Sequence, residues 1–254
     1  MENVYKKEKI TLINDNFQNY KRYNVKKANF IIADIPYNLG ANAYASRTEW
    51  WKEGKIENGA DKSKANKAFF NSDFNFNIYE FMHFITRMLK DNKNNSGAIL
   101  VFCSFIQQFM LIELAKRYGF KKYINLVFRK KTSASVLKAN MRVVGNCEYG
   151  LLLYRDRLPK FNNDGKMVFN CFDWDTSGNY ERVHPTQKPV ASLKKIIKLF
   201  TDENDVIIDP CCGSGSTLRA CLELNRASYG FEINKEMFKL SKEKMLSNYV
   251  KDIF

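Results

Sequence analysis

The chemistry of this sequence is concentrated in two strand-ending motifs. Val206-Ile207-Ile208-Asp209-Pro210-Cys211-Cys212-Gly213-Ser214-Gly215-Ser216-Thr217 reads as a buried strand ending in an acid, a tight glycine turn, and a helix opening on Ser216 and Thr217. That succession presents backbone amides to a nucleotide-like ligand. Gly213 and Gly215 permit a close approach that any side chain would block. Glu232 closes the next strand, 23 positions after Asp209, where it can accept hydrogen bonds from ribose hydroxyls. No Gly-Lys-Ser/Thr follows, so this is not a phosphate loop.

The second motif is Phe30-Ile31-Ile32-Ala33-Asp34-Ile35-Pro36-Tyr37-Asn38, again a buried strand ending in a carboxylate. Pro36 fixes the turn, so that the Asp34 side chain and the Ile35 carbonyl can converge as two acceptors, with the Tyr37 ring beside them. Two acceptors and a stacking platform suit an exocyclic amine on a flat base. Such a nitrogen is a poor nucleophile because its lone pair is delocalised into the ring. Hydrogen bonds that favour its pyramidal form raise its reactivity towards an electrophilic methyl group.

Apolar runs that alternate with helical patterns must position these motifs, the signature of an α/β fold with a mostly parallel sheet flanked by helices. The predicted strands are Asn29 to Ala33, Ala98 to Cys103, Tyr123 to Phe128, Glu148 to Tyr154, Val206 to Asp209 and Ser228 to Phe231. The predicted helices are Ile78 to Lys90, Ser104 to Tyr118 with a Ser104-x-x-Gln107 capping box, Val190 to Phe200, Ser216 to Asn225 and Asn234 to Asn248. Lys52 to Lys67 has little to bury and is expected to be a mobile surface loop.

Composition narrows the partner. Forty-one Lys and Arg against 27 Asp and Glu leave a formal charge of +14, which points to a polyanion. Seven basic residues, Lys121, Lys122, Arg129, Lys130, Lys131, Lys138 and Arg142, crowd one stretch without an acid, read as a phosphate-binding strip. The strip leads into an irregular region, 131–181, expected to carry target recognition. No run approaches the roughly 20 apolar residues of a membrane-spanning helix, and the first residues carry no secretory pattern. The six cysteines form no Cys-x-x-Cys pair, so neither a metal site nor an oxidising compartment is expected.

Taken together, the motifs resemble those of β-class amino-directed DNA methyltransferases. Asp34-Ile35-Pro36-Tyr37 is similar to the family's catalytic Asp-Pro-Pro-Tyr, and Asp209 to Thr217 to its S-adenosylmethionine loop, Asp-Pro-Phe-x-Gly-Ser-Gly-Thr-Thr. His184-Pro185-Thr186-Gln187-Lys188-Pro189 is similar to the family's His-Pro-x-x-Lys-Pro segment. The catalytic motif precedes the cofactor loop, which is the permuted β-class order, and the resemblance spans Leu12 to Glu232. It departs at Ile35, which replaces a proline; that position contributes its carbonyl, so the chemistry should survive.

The resemblance implies one Rossmann-like methyltransferase domain over residues 1–254, with a small recognition insert and no attached nuclease domain. It implies that Asp34, Ile35, Pro36 and Tyr37 form the catalytic motif. S-adenosyl-L-methionine is the implied cofactor, contacted by Asp15 at the adenine, Glu232 at the ribose and Thr186, Gln187 and Lys188 at the methionine end. Asp34, Asp209, Cys211, Gly213, Ser214, Gly215, Thr217 and Asn234 complete that implied cofactor site.

The implied substrate is double-stranded DNA, its target base flipped out at a cost of a few kcal/mol. Adenine N6 is the expected target, because Asp at the first motif position resembles the adenine enzymes, whereas Ser is more usual in those acting on cytosine N4. The alternatives are cytosine N4 methylation and a noncatalytic DNA-binding protein of the same fold. A homodimer and a separately encoded restriction endonuclease are further partners the resemblance allows. The expected location is the cytoplasm of a bacterial or phage-infected cell.

Overall fold

A computed structural model describes residues 3–37, 76–92, 95–131, 143–158, 160–184 and 186–247. The elements run β1 (Val4–Lys7), β2 (Ile10–Ile13), a 3-10 helix (Phe17–Tyr23), β3 (Phe30–Asp34), α1 (Ile78–Met88), β4 (Asp91–Asn92), β5 (Asn95–Ser96), β6 (Ala98–Cys103) and α2 (Phe105–Arg117). They continue with β7 (Lys122–Arg129), β8 (Cys147–Tyr154), β9 (Cys171–Asp173), α3 (Val190–Phe200), β10 (Val206–Asp209), α4 (Ser216–Glu223), β11 (Ala227–Phe231), α5 (Lys235–Leu240) and a π-helical turn (Ser241–Leu246).

Among the described residues one nine-stranded sheet has the order β1-β2-β11-β10-β3-β6-β8-β7-β9. Its centre, β2 to β6, is parallel, while β8 runs antiparallel to both β6 and β7. Alternation along each strand divides the apolar side chains between two faces. Phe30 and Ile32 of β3, with Leu100 and Phe102 of β6, pack on the face that α3 and α4 cover through Leu193, Ile197 and Leu218. Ile31 and Ala33, with Ile99 and Val101, pack on the opposite face against Phe81 and Ile85 of α1 and Leu111 of α2.

The helices form where their sequences say. Phe81, Met82, Phe84, Ile85 and Met88 of α1 are buried along one stripe, and the Asn77 side chain caps its first turn. The Ser104 and Gln107 capping box opens α2. The predicted long C-terminal helix is instead α5 continued as a π turn from Ser241. Strands β1, β2 and β9 were not expected, because four- and three-residue strands give too few alternations to read. Within the expected recognition region, β8 and β9 belong to the sheet. The expected mobile loop at 52–67 lies outside the described residues.

The chain leaves β3 towards β6 on one side and β10 towards β11 on the other, so the β3/β10 pair is a topological switch point. Loops after such strands diverge and leave a crevice at their carboxyl ends, the usual ligand site of open α/β sheets. Asp34 and Asp209 are the last residues of those two strands.

Candidate active site

On the β10 and β11 side, the site is built from a strand, a turn and backbone amides. Asp209 is 3% exposed, and its Oδ1 accepts the Cys211 N–H at 3.1 Å. Burial pushes its carboxyl up to about 7, although hydrogen bonds from the Thr217 side chain and the Cys211 amide oppose the shift. Gly213 and Gly215 take φ of 47° and 78°, left-handed values that favour glycine, and Gly215 is the N-cap of α4. A Cβ at Gly213 would meet nothing within 4 Å, so that side of the turn is open space.

The turn is held from both sides. Ser241 Oγ donates to the Gly213 carbonyl at 2.6 Å, and Glu232 Oε2 accepts the Gly213 N–H at 2.9 Å. Glu232 Oε1 accepts the Asn234 N–H at 2.7 Å, and burial raises its pKa. The Ser214 and Ser216 hydroxyls bond each other at 2.9 Å.

On the β3 side, the site is a chain of charges. Lys188 Nζ donates to Asp34 Oδ2 at 2.5 Å and lies 3.2 Å from Glu148 Oε2, while Lys130 pairs with Glu148 Oε1. Lys188 is 9% exposed and sits over the rings of Tyr37 and Phe102, 5.7 and 5.2 Å from their centroids. Burial works against its ammonium, but Asp34, Tyr37 and Glu148 outweigh it and hold its pKa well above the ordinary lysine value. Burial raises the Asp34 pKa, with Lys188 opposing. The Tyr37 hydroxyl is buried without a hydrogen-bond partner among the described residues.

The two sides meet at one edge. Asp34 ends β3 and Asp209 ends β10, with Glu232 directly after β11, all at the carboxyl ends of mutually parallel neighbours. The turn after Asp34 is fixed from α2, since Gln107 Nε2 donates to the Pro36 carbonyl at 2.8 Å, and the Ile35 N–H bonds the Phe102 carbonyl at 3.2 Å.

The other sequence-predicted residues are more dispersed in role. Gln187 Oε1 accepts the Val183 and His184 amides, and Thr186 Oγ1 lies 2.9 Å from His184 Nδ1, so both shape the turn that delivers Lys188. Asn234 caps α5 through the Glu236 and Met237 amides. Asp15 follows β2, beside β11, and its oxygens accept from the Asn16 amide, the Asn19 side chain and the Tyr23 hydroxyl.

The basic run is not one strip. Because β7 is antiparallel to β8 and β8 to β6, the carboxyl end of β7 lies at the site edge. Arg129, Lys130 and Lys131 therefore lie on that edge, and Lys121 and Lys122 at the far end of the strand, on the order of 20 Å away at the rise of a β-strand. Arg129 pairs with Asp173 at 2.6 Å. The run also reaches the strand-end acid of β3, since Lys130 is joined to Asp34 through Glu148 and Lys188. Lys138 and Arg142 lie outside the described residues.

Sequence reasoning missed Glu148, Phe102 and Gln107. Glu148 carried a readable signal, being the lone acid at the head of the otherwise apolar Tyr149 to Leu153. Nothing in the linear sequence tied it to Lys188.

The fold agrees with what the chain resembles among known proteins. A family model described as DNA methylase (N6_N4_Mtase) matches residues 28–243, and the chain belongs to that family. The class of enzyme is thus a DNA methyltransferase.

The chain is 34% identical over 130 residues to YubD of Escherichia coli K12, a protein named as a methylase, of which the match spans 53% and which it meets over 51% of this chain. It is 28% identical over 255 residues to the type II methyltransferase M2.LlaDCHI of Lactococcus lactis, covering 95% of this chain and 91% of that one. It is also 28% identical to the DNA adenine methyltransferase YhdJ of Escherichia coli K12, covering 87% of this chain and 76% of that one.

Among solved structures, the M1.HpyAVI–SAM complex shares the fold with a TM-score of 0.65 at 24% identity, over 92% of this chain and 97% of that one. The cytosine-N4-specific PvuII DNA methyltransferase shares it with a TM-score of 0.70 at 15% identity, over 97% and 89%.

Proposed function

We propose that this protein transfers a methyl group from S-adenosylmethionine to adenine N6 of a base flipped out of double-stranded DNA. The observation that carries the reading is the convergence, at one switch point, of a glycine turn with open space beside it and an Asp-Ile-Pro-Tyr carboxylate. The relative named as an adenine methyltransferase supports the choice of adenine, as does Asp34 at the first motif position.

The cofactor side fits the group it would take. The open space beside Gly213 leaves room for an adenosyl moiety against the turn. Each Glu232 oxygen bonds one backbone amide and keeps a lone pair for a ribose hydroxyl. Lys188 donates one hydrogen bond to Asp34 and meets Glu148 as a charge, which leaves donor capacity for the carboxylate of the methionine end. Asp209, Cys211, Ser214, Gly215 and Thr217 form the floor, and Asp15, Thr186, Gln187 and Asn234 border it. When bound, S-adenosylmethionine supplies an electrophilic methyl group.

This chain's residues then act on the amine. Asp34 and the Ile35 carbonyl accept its N–H bonds and draw the nitrogen towards a tetrahedral shape, freeing its lone pair. Tyr37 stacks on the extruded base, a contact of about 1–3 kcal/mol that offsets much of the flipping cost. The methylated nitrogen is cationic and sheds its extra proton to water without a strong base. Lys131 at the site edge takes a phosphate contact.

Mass spectrometry of nucleosides digested from DNA incubated with protein and cofactor tests the target. N6-methyladenine is the expected product. N4-methylcytosine alone would transfer the reading to the cytosine enzymes, and no methylated base would leave a DNA-binding protein of the same fold.

A further inference from the structure

Glu148 is a buried carboxylate that the reaction outlined above leaves without a task. It lies at the head of β8, two strands from Asp34, and the side chain is 14% exposed. Its two oxygens go to two lysines from different parts of the chain, Oε1 to Lys130 at the end of β7 and Oε2 to Lys188, 3.2 Å away. The result is a row of alternating sign, Lys130, Glu148, Lys188, Asp34, with no net charge. One lysine is enough to neutralise Asp34. A second, more deeply buried carboxylate on the same ammonium carries its own desolvation cost, and a second lysine is then needed to balance it.

The arrangement has a direct effect on Asp34. A carboxylate fully engaged by one ammonium is a weak acceptor for a further donor, whereas sharing the ammonium restores its acceptor strength. Resting on the reading of Asp34 as the acceptor of the target amine, we propose that Glu148 is a positioning residue for methyl transfer. By holding Lys188 between two acids, it fixes the ammonium in place and leaves Asp34 a strong acceptor for the amine. Lys130 keeps Glu148 in place and sets how much of Lys188 it draws.

The charges around Asp34 give this a sign. Glu148 raises the Asp34 pKa, and Lys188 and Lys130 lower it. The other groups that face it are the Tyr37 hydroxyl, the Cys103 thiol at the end of β6, and Asp209 and Cys211 at the end of β10. Glu148→Gln removes a negative charge and Lys130→Met a positive one, so the two variants push Asp34 in opposite directions.

The test measures transfer of labelled methyl from S-adenosylmethionine to DNA of a methylation-deficient bacterial host, from about pH 5 to about pH 9, for wild type and both variants. Glu148→Gln is expected to lower kcat by roughly tenfold with KM for the cofactor within about twofold, and to move the acid limb down by about half to one pH unit. Lys130→Met is expected to move that limb up. Unchanged kcat and limb in Glu148→Gln overturn the proposal, as does a loss of activity that only follows the folded fraction with no limb shift. If Glu148→Gln does not fold, the missing upward shift in Lys130→Met overturns it equally. Wild-type protein that transfers no methyl overturns the reaction itself, a failure recognisable before any variant is compared.

Discussion

The two halves of the site are made in opposite ways. The half at β10 and β11 is local: Asp209, Gly213, Gly215 and Thr217 lie within nine residues of one another, and Glu232 closes the next strand. Its carboxylates are answered by backbone amides, those of Cys211 and Gly213 in the turn and that of Asn234 just after β11. The half at β3 joins Asp34, Lys130, Glu148 and Lys188, up to 154 positions apart, through side-chain charges alone. A turn whose amides and carbonyls meet several separate partners, Asp209, Glu232 and Ser241, tolerates the loss of one side chain. A row of charges with Lys188 and Glu148 largely buried at its centre does not, because removing either leaves its partner an unpaired ion.

Removing the shared cation gives the largest effect expected from that difference. Lys188→Met leaves the half-exposed Asp34 and the more buried Glu148 without the cation they share, and urea unfolding near neutral pH should show a loss of about 3 kcal/mol, the lower end for a broken buried pair because water screens Asp34. A loss under about 1 kcal/mol would mean the two carboxylates are solvated and the row is not a unit.

Asp34→Ala removes the amine acceptor. Methyl transfer should fall by roughly a hundred- to a thousandfold while salt-sensitive DNA binding remains. Transfer at the wild-type rate would remove Asp34 from the chemistry.

The local half answers to pH. The folded-state pKa of Asp209 stands at about 7 against 3.8 for a free carboxyl, so the stability its protonated form contributes below 3.8 is lost as pH rises through 7. Asp209→Asn keeps an acceptor for the Cys211 amide and does not titrate. Its stability relative to wild type should improve between about pH 4 and pH 8 by on the order of 2–4 kcal/mol. Parallel unfolding curves across that range would count against a buried, titrating Asp209.

Gly213→Ala separates folding from ligand binding. Its left-handed φ of 47° costs an alanine about 1–2 kcal/mol, with no added clash. Calorimetric titration with S-adenosylmethionine should show a larger loss than that, because the new methyl group enters the open side of the turn. Unaltered affinity would place the cofactor elsewhere.

The smallest effect distinguishes the ends of β7. Lys131→Ala should lower the salt slope of DNA binding by about 1, and Lys121→Ala on the far edge should leave it unchanged. Equal slopes for the two would mean that both edges of the sheet meet DNA.

The same contrast separates what was legible in the sequence. The strand, turn and helix around Asp209 follow from neighbouring residues, because an apolar run, an acid and glycines at fixed spacing specify both backbone and chemistry. The motif at Asp34 and the segment carrying Lys188 were legible one by one, as were the central strands and α1 to α4. Glu148 was legible only as a lone acid at a strand head, which declares no partner. Nor did the basic run reveal its division: a strand carries its two ends to opposite edges of the sheet, while the sequence shows only one cluster.

Sequence alone therefore determined the fold class, the two strand-end acids and the glycine turn, because each rests on short-range pattern. Only the tertiary structure decided that Lys188 lies between Asp34 and Glu148, and that Lys130 completes the row. Those contacts depend on the order and direction of β3, β6, β8 and β7, which bring charges from distant segments to one edge, where the largely buried Lys188 and Glu148 need partners of opposite sign.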